Sequence, residues 1–100
     1  MGVKKQYKDA LEKAIHMAFA LIYEIHHISS EMTEEEVIHS YGAQYHNITC
    51  ILYGIFTTMP TTLKEFCDEK DREAYEDAIY IADKWIEKNN KEVEKVNSNL

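Results

Sequence analysis

The chain has 100 residues, with 18 acidic side chains against 11 basic ones and a formal net charge of −7. A hydrophobic share of 45% excludes disorder as the default, and nothing resembles the basic footprint of a nucleic-acid-binding protein. Three Gly and one Pro leave few turns, which favours long helices over a sheet. We therefore expect one all-α domain over residues 1–100.

The first predicted helix spans about residues 4–28 and has two occupied faces. At about 100° per residue, the main apolar stripe consists of Leu11, Ala14, Ile15, Ala18, Ile22 and Ile25. The opposite side carries His16, Ala20, Tyr23 and His27. A helix with two occupied faces generally touches two layers, so this pattern predicts a second packing partner.

The second predicted helix follows a short connection at residues 29–32. Thr33 and Glu36 have the spacing of a capping box, and the helix should run to about Thr57 because Pro60 ends it from beyond. Its main stripe is Val37, Tyr41, Tyr45, Ile48, Leu52 and Ile55. The other face carries His39, Ala43, His46, Cys50, Tyr53 and Thr57. Gly42 and Gly54 flank that face, where they either permit a close helix approach or are tolerated at a cost in stability.

A short helix and a third long helix complete the predicted fold. Thr62 and Glu65 offer a second capping box for a helix of one or two turns that ends at Phe66. The last helix should begin near residues 68–71 and continue to about Val96, with fraying over about 90–100. Its stripe is Tyr75, Ala78, Ile79, Ala82, Trp85, Ile86, Val93 and Val96. We expect an up-down-up bundle with Trp85 in the shared core.

Two Glu-x-x-His motifs raise the alternative of a metal-binding bundle. The motifs are Glu24 with His27 and Glu36 with His39, and an antiparallel hairpin brings all four side chains to one height. Di-iron bundles also use a carboxylate from each of two further helices, and here both motifs point away from the main stripes. We therefore expect no metal and no cofactor. His46 and Cys50 lack the further ligands of a zinc site and are assigned to an interface instead.

Acidic residues cluster in two segments, and nucleic-acid mimicry is a second alternative. Residues 31–36 carry four acids and no base, and residues 68–77 carry six acids and two bases, so each segment has a net charge of −4. Both segments coincide with predicted helix N-termini, where the helix macrodipole favours carboxylates. Helix capping is the stronger interpretation.

The second faces of the first two helices are left over once three helices close one core, which predicts a homodimer. The expected interface is His16, Ala20, Tyr23, His27, His39, Ala43, His46, Cys50 and Tyr53. Buried histidines resist protonation, so this assembly should weaken between about pH 7 and 5.

The functional prediction is a non-enzymatic protein-binding regulator or inhibitor. Size, acidity and helical content are similar to those of small inhibitors, including immunity proteins and phage-encoded anti-defence proteins. A single Arg among many Lys, Ile and Asn residues is typical of an AT-rich genome, such as that of a phage. The charged first residues and the two cysteines predict a cytoplasmic protein with reduced thiols, and no apolar stretch is long enough for a membrane span.

Overall fold

Four α-helices form the chain in the computed structural model, which describes the backbone of residues 2–98 and the side chains of residues 5–91. They are α1 (Gly2–Ile28), α2 (Glu34–Thr58), α3 (Pro60–Phe66) and α4 (Glu69–Ser98). The predicted all-α class, with three long helices and a short one between the second and third, is confirmed. The three long helices pack against one another in pairs. The side chains of Val93 and Val96, and the predicted fraying near the C-terminus, lie outside the described side chains.

Helices α2 and α4 both begin with reciprocal capping hydrogen bonds. The Glu36 N–H donates to the Thr33 hydroxyl at 3.2 Å, and the Thr33 N–H donates to the Glu36 carboxylate at 3.3 Å. At α4 the Asp71 N–H donates to Asp68 Oδ1 at 2.8 Å, and the Asp68 N–H donates to Asp71 Oδ2 at 3.3 Å. The predicted capping box of α2 is therefore confirmed, and acids of both clusters act in capping.

Helix α3 starts earlier than the sequence predicts. Its N-cap residue is Met59, whose side chain makes no capping hydrogen bond, and Pro60 is the first helical residue. Thr62 is buried within the helix, and its N–H donates to the Met59 carbonyl at 3.0 Å. The predicted Thr62 cap is thus wrong, because the fixed φ of proline suits the first helical position and starts the helix three residues sooner.

The core lies where the three long helices meet. Its largest contributions are Ile15, Phe19, Ile22 and Ile25 from α1, Tyr45, Ile48, Leu52 and Phe56 from α2, and Ala74, Ala78 and Ala82 from α4. The main stripes predicted for α1 and α2 supply most of these residues. Helix α4 contributes alanines, so its backbone comes close to its neighbours and little side-chain volume separates them.

The prediction that Trp85 lies in the core shared by the three helices is wrong. Its side chain packs on α2 instead. A Cβ placed on Gly42 would lie 2.5–2.6 Å from side-chain atoms of Trp85. The His46 ring lies 5.5 Å from the indole, centroid to centroid. Gly42 is thus one of the small residues that permit a close helix approach, and the indole is half-buried over it because the alanines of α4 occupy the centre.

The bundle is elongated and flat. Its Cα atoms extend over 58 × 34 × 17 Å, and the radius of gyration is 16.2 Å. A compact chain of this length has a radius of gyration of about 13 Å. Each long helix therefore keeps a wide outward surface.

Candidate functional site

The residues of the predicted interface form one group on α1 and another on α2, and helix α4 packs against both groups. On α1, the Tyr23 hydroxyl donates to the Asp71 carboxylate, and Lys70 lies over the Tyr23 ring, 5.7 Å from its centroid. On α2, His46 contacts Trp85. Asp71 and Trp85 are about 21 Å apart along the axis of α4. The second packing partner predicted for the first two helices is therefore, in part, α4 of the same chain.

The other residues of the predicted interface remain on the surface. Exposed are His16, Ala20, His27, His39, Cys50 and Tyr53, while Tyr23, Ala43 and His46 are half-buried. The structure thus places the nine residues in an α1 group and an α2 group, with α4 in contact with both.

The α2 group opens onto a groove between α2 and α4. Its walls are His46, Cys50 and Tyr53 on one side and Tyr75, Ile79 and Ile86 on the other, and its volume is about 370 Å³. Tyr53 stands at the rim with 64% of its surface exposed. Apolar walls with a few polar groups are typical of surfaces that receive a ligand or a partner side chain. We call this feature the α2–α4 groove.

Tyr75 presents a phenol hydroxyl to the groove. Burial raises the pKa of Tyr75, and the nearby Tyr53 and Cys50 raise it further. The phenol of Tyr75 therefore stays protonated and able to donate a hydrogen bond. Cys50 Sγ lies 3.8 Å from both ring nitrogens of His46, so the thiol is in contact with the ring.

The four side chains of the metal hypothesis are all exposed. They are Glu24, His27, Glu36 and His39. The Glu36 carboxylate accepts hydrogen bonds from the N–H and the hydroxyl of Thr33, which hold it at the helix start. Within the described side chains, no three His, Cys, Asp or Glu residues are arranged to hold a metal ion. The structure therefore provides no assembled metal centre over that part of the chain.

One exposed apolar surface belongs to neither predicted face of α1. Met17, Leu21 and Ile28 each expose more than half of their surface. Successive members lie four and seven residues apart, so they share one side of the helix. Their spacing was visible in the sequence, but the two faces already assigned to α1 left no expectation of a third.

None of the helices within the described residues combines the length and apolarity needed to cross a bilayer. Comparison with protein-family models, with curated proteins and with solved structures gives no match.

Proposed function

We propose that this chain is a small acidic, non-enzymatic protein-binding regulator or inhibitor whose partner docks in the α2–α4 groove. The observation that carries this proposal is the exposed Tyr53 ring beside the apolar wall formed by Tyr75, Ile79 and Ile86. Tyrosine supplies a large contact area and a hydroxyl, and it is enriched among the residues that dominate binding energy at protein interfaces.

The negative charge of the chain indicates that the partner's surface is basic. The chain carries a net charge of −7, and Asp83 lines the groove. Opposite charges around an apolar anchor raise association rates and exclude wrong partners. The partner we expect offers an apolar side chain or helix face surrounded by Lys and Arg.

The proposal retains the remaining expectations from the sequence. The module acts in the cytoplasm and as a homodimer, and it inhibits a host protein on behalf of a phage or mobile element. Support comes from its small size, its acidity and its single Arg. Because α4 contacts Tyr23 and His46, we assign self-association to another surface of α1 below.

Capture from a lysate of the host tests the groove. The bait is the full chain, compared with Tyr53→Glu and with the control Ile51→Glu. Ile51 lies on the same helix as Tyr53 with a similar exposure of 55%, about 160° away around the axis. We expect the same proteins on the wild type and on Ile51→Glu, and their loss on Tyr53→Glu.

Two results would overturn the proposal. One is that Tyr53→Glu retains those proteins while keeping the wild-type melting temperature. The other is that the wild type captures nothing beyond what a heat-denatured bait captures.

A further inference from the structure

A regular apolar stripe runs along the outer side of α1. It comprises Tyr7, Ala10, Ala14, Met17, Leu21 and Ile28. The steps alternate between three and four residues, and Glu24 occupies the position between Leu21 and Ile28. This is the spacing of the a and d positions in a coiled coil. We call the stripe the α1 seam.

The large apolar side chains of the α1 seam are exposed. Met17 exposes 72% of its surface, and the other large side chains, Tyr7, Ile28 and Leu21, expose 59%, 53% and 51%. These are four of the seven large apolar residues that the described structure exposes. Contiguous apolar exposure of this kind marks an interaction surface, whereas single exposed apolar residues do not.

We propose that a second copy of this chain covers the α1 seam. The two α1 helices are antiparallel, and the two-fold axis passes beside Met17, halfway between the levels of residues 17 and 18. The inference rests on the proposed self-association and gives it a different surface from the histidine-bearing face. It is independent of the α2–α4 groove, which lies between the other two long helices.

The seam is complementary to itself in this orientation. An axis beside Met17 places Ile28 of each copy level with Tyr7 of the other. It also places Leu21 level with Ala14, so a large side chain meets a small one. A two-fold contact needs this property, because the same surface serves both partners.

The charges of α1 select the antiparallel orientation. Its first half carries four Lys against Asp9 and Glu12, for a net +2, and its second half carries only Glu24. Antiparallel pairing puts Lys13 of each copy about 3 Å along the axis from the level of Glu24 in the other. Lys13 and Glu24 are both exposed, and neither forms an ion pair within residues 5–91. Parallel pairing would align like charges and helix dipoles.

The elongated chain exposes enough surface to accommodate an interface of standard size. The accessible surface is 7405 Å² for a mass of 11.7 kDa. A compact monomer of this mass exposes about 5,900 Å². The excess exceeds the roughly 800 Å² that each partner buries in a standard interface.

The first test is the solution mass of the untagged full chain, measured by sedimentation across a concentration series. We expect a mass of twice 11.7 kDa for the wild type. Leu21→Glu places a charge in the seam and should raise the dissociation constant at least about tenfold. The control Tyr53→Glu leaves the seam intact and should stay dimeric.

Each other outcome contradicts the inference. A wild-type monomer overturns it together with the proposed self-association. The same holds if the chain is monomeric and the seam instead binds anionic lipid vesicles in a way that depends on Leu21. A dimer that survives Leu21→Glu but dissociates with Tyr53→Glu overturns the inference alone. Failure of the groove proposal is read separately, from the capture experiment.

Disulfide trapping tests the orientation in a Cys50→Ser background. Antiparallel pairing puts the two copies of residue 17 about 1.5 Å apart along the axis and the two copies of residue 28 about 32 Å apart. Met17→Cys should therefore cross-link on oxidation, while Ile28→Cys should not. Efficient cross-linking of both variants would show parallel pairing and overturn the proposed geometry, as would the absence of cross-linking for Met17→Cys.

Discussion

The α4-facing side of α2 and the outer side of α1 are both apolar at helical spacing, yet only the first is covered within the chain. Gly42 meets Trp85 on the covered side, and Ala78 and Ala82 of α4 are buried in the core. On the open side Met17 and Leu21 point into solvent. Small residues let the chain's own helices approach closely, whereas the larger side chains of the outer α1 face remain available to an outside partner.

Substitution of one leucine on each side should give the largest difference in the free energy of unfolding. Leu52 is fully buried in the core, and Leu21 lies exposed on the outer side of α1. Leu52→Ala should lower the free energy of unfolding by about 2–5 kcal/mol, because it removes buried contacts and leaves a cavity. Leu21→Ala should change it by less than about 0.5 kcal/mol in the monomer.

Urea denaturation at protein concentrations below dimer formation measures both values. Equal costs for the two leucines would mean that the outer side of α1 is buried within the monomer. The contrast between the two sides would then be lost.

A second pair of variants sharpens the comparison within α2 itself. Gly42→Ala places a methyl group 2.5–2.6 Å from the base of the Trp85 side chain, so one helix must shift. We expect a destabilisation of about 1–3 kcal/mol, as for other overpacked sites. Gly54→Ala meets no atom within 4 Å. It should stabilise the protein by up to about 1 kcal/mol, because alanine favours helix.

Thermal unfolding of both glycine variants shows whether each substitution stabilises or destabilises the protein. Stabilisation by Gly42→Ala would show that α4 does not approach α2 closely at Trp85. Destabilisation by Gly54→Ala would show that another element covers that part of α2.

The smallest effect on stability is expected from the ionisation of a cysteine thiol. Burial, together with the negative charges of Asp71 and Asp68, raises the pKa of Cys67 from 9.0 to about 11. Its neutral form therefore contributes stability that is complete below about pH 9 and is lost as the pH rises towards 11. The midpoint of urea unfolding should fall over that range, and by less in Cys67→Ala.

Thiol labelling near neutral pH provides the matched comparison. Cys50 is exposed and Cys67 is buried. Cys50 should react at least about tenfold faster with a thiol reagent, because burial both shields Cys67 from the reagent and raises its pKa. Similar rates would place Cys67 at the surface and contradict its burial between the helices.

Local signals in the sequence predicted the elements well. The Thr33 and Glu36 capping box acts over four residues, so the sequence contains everything needed to place the start of α2. Helix α3 was placed too late because two local start signals compete there, and proline prevailed over the threonine cap. Trp85 was misplaced because its environment depends on how closely α4 approaches Gly42, which is a tertiary property.

The candidate surfaces were predicted only in part. Tyr53, His46 and Cys50 were identified, but their partner across the groove is α4, which no pattern within α2 reveals. The α1 seam was missed because Ala14 was assigned to the main stripe of α1 and Glu24 interrupts the apolar spacing. Periodicity shows which residues share a face, but not which of several faces the fold leaves open.

Asp71 takes part in two kinds of contact at once. Its backbone and carboxylate close the first turn of α4, and the same carboxylate accepts a hydrogen bond from the hydroxyl of Tyr23, 48 positions earlier in the chain. Opening the first turn of α4 therefore also breaks its hydrogen bond to α1. The start of α4 and the C-terminal part of α1 should then open as one cooperative unit, and local unfolding of α4 should proceed from its far end.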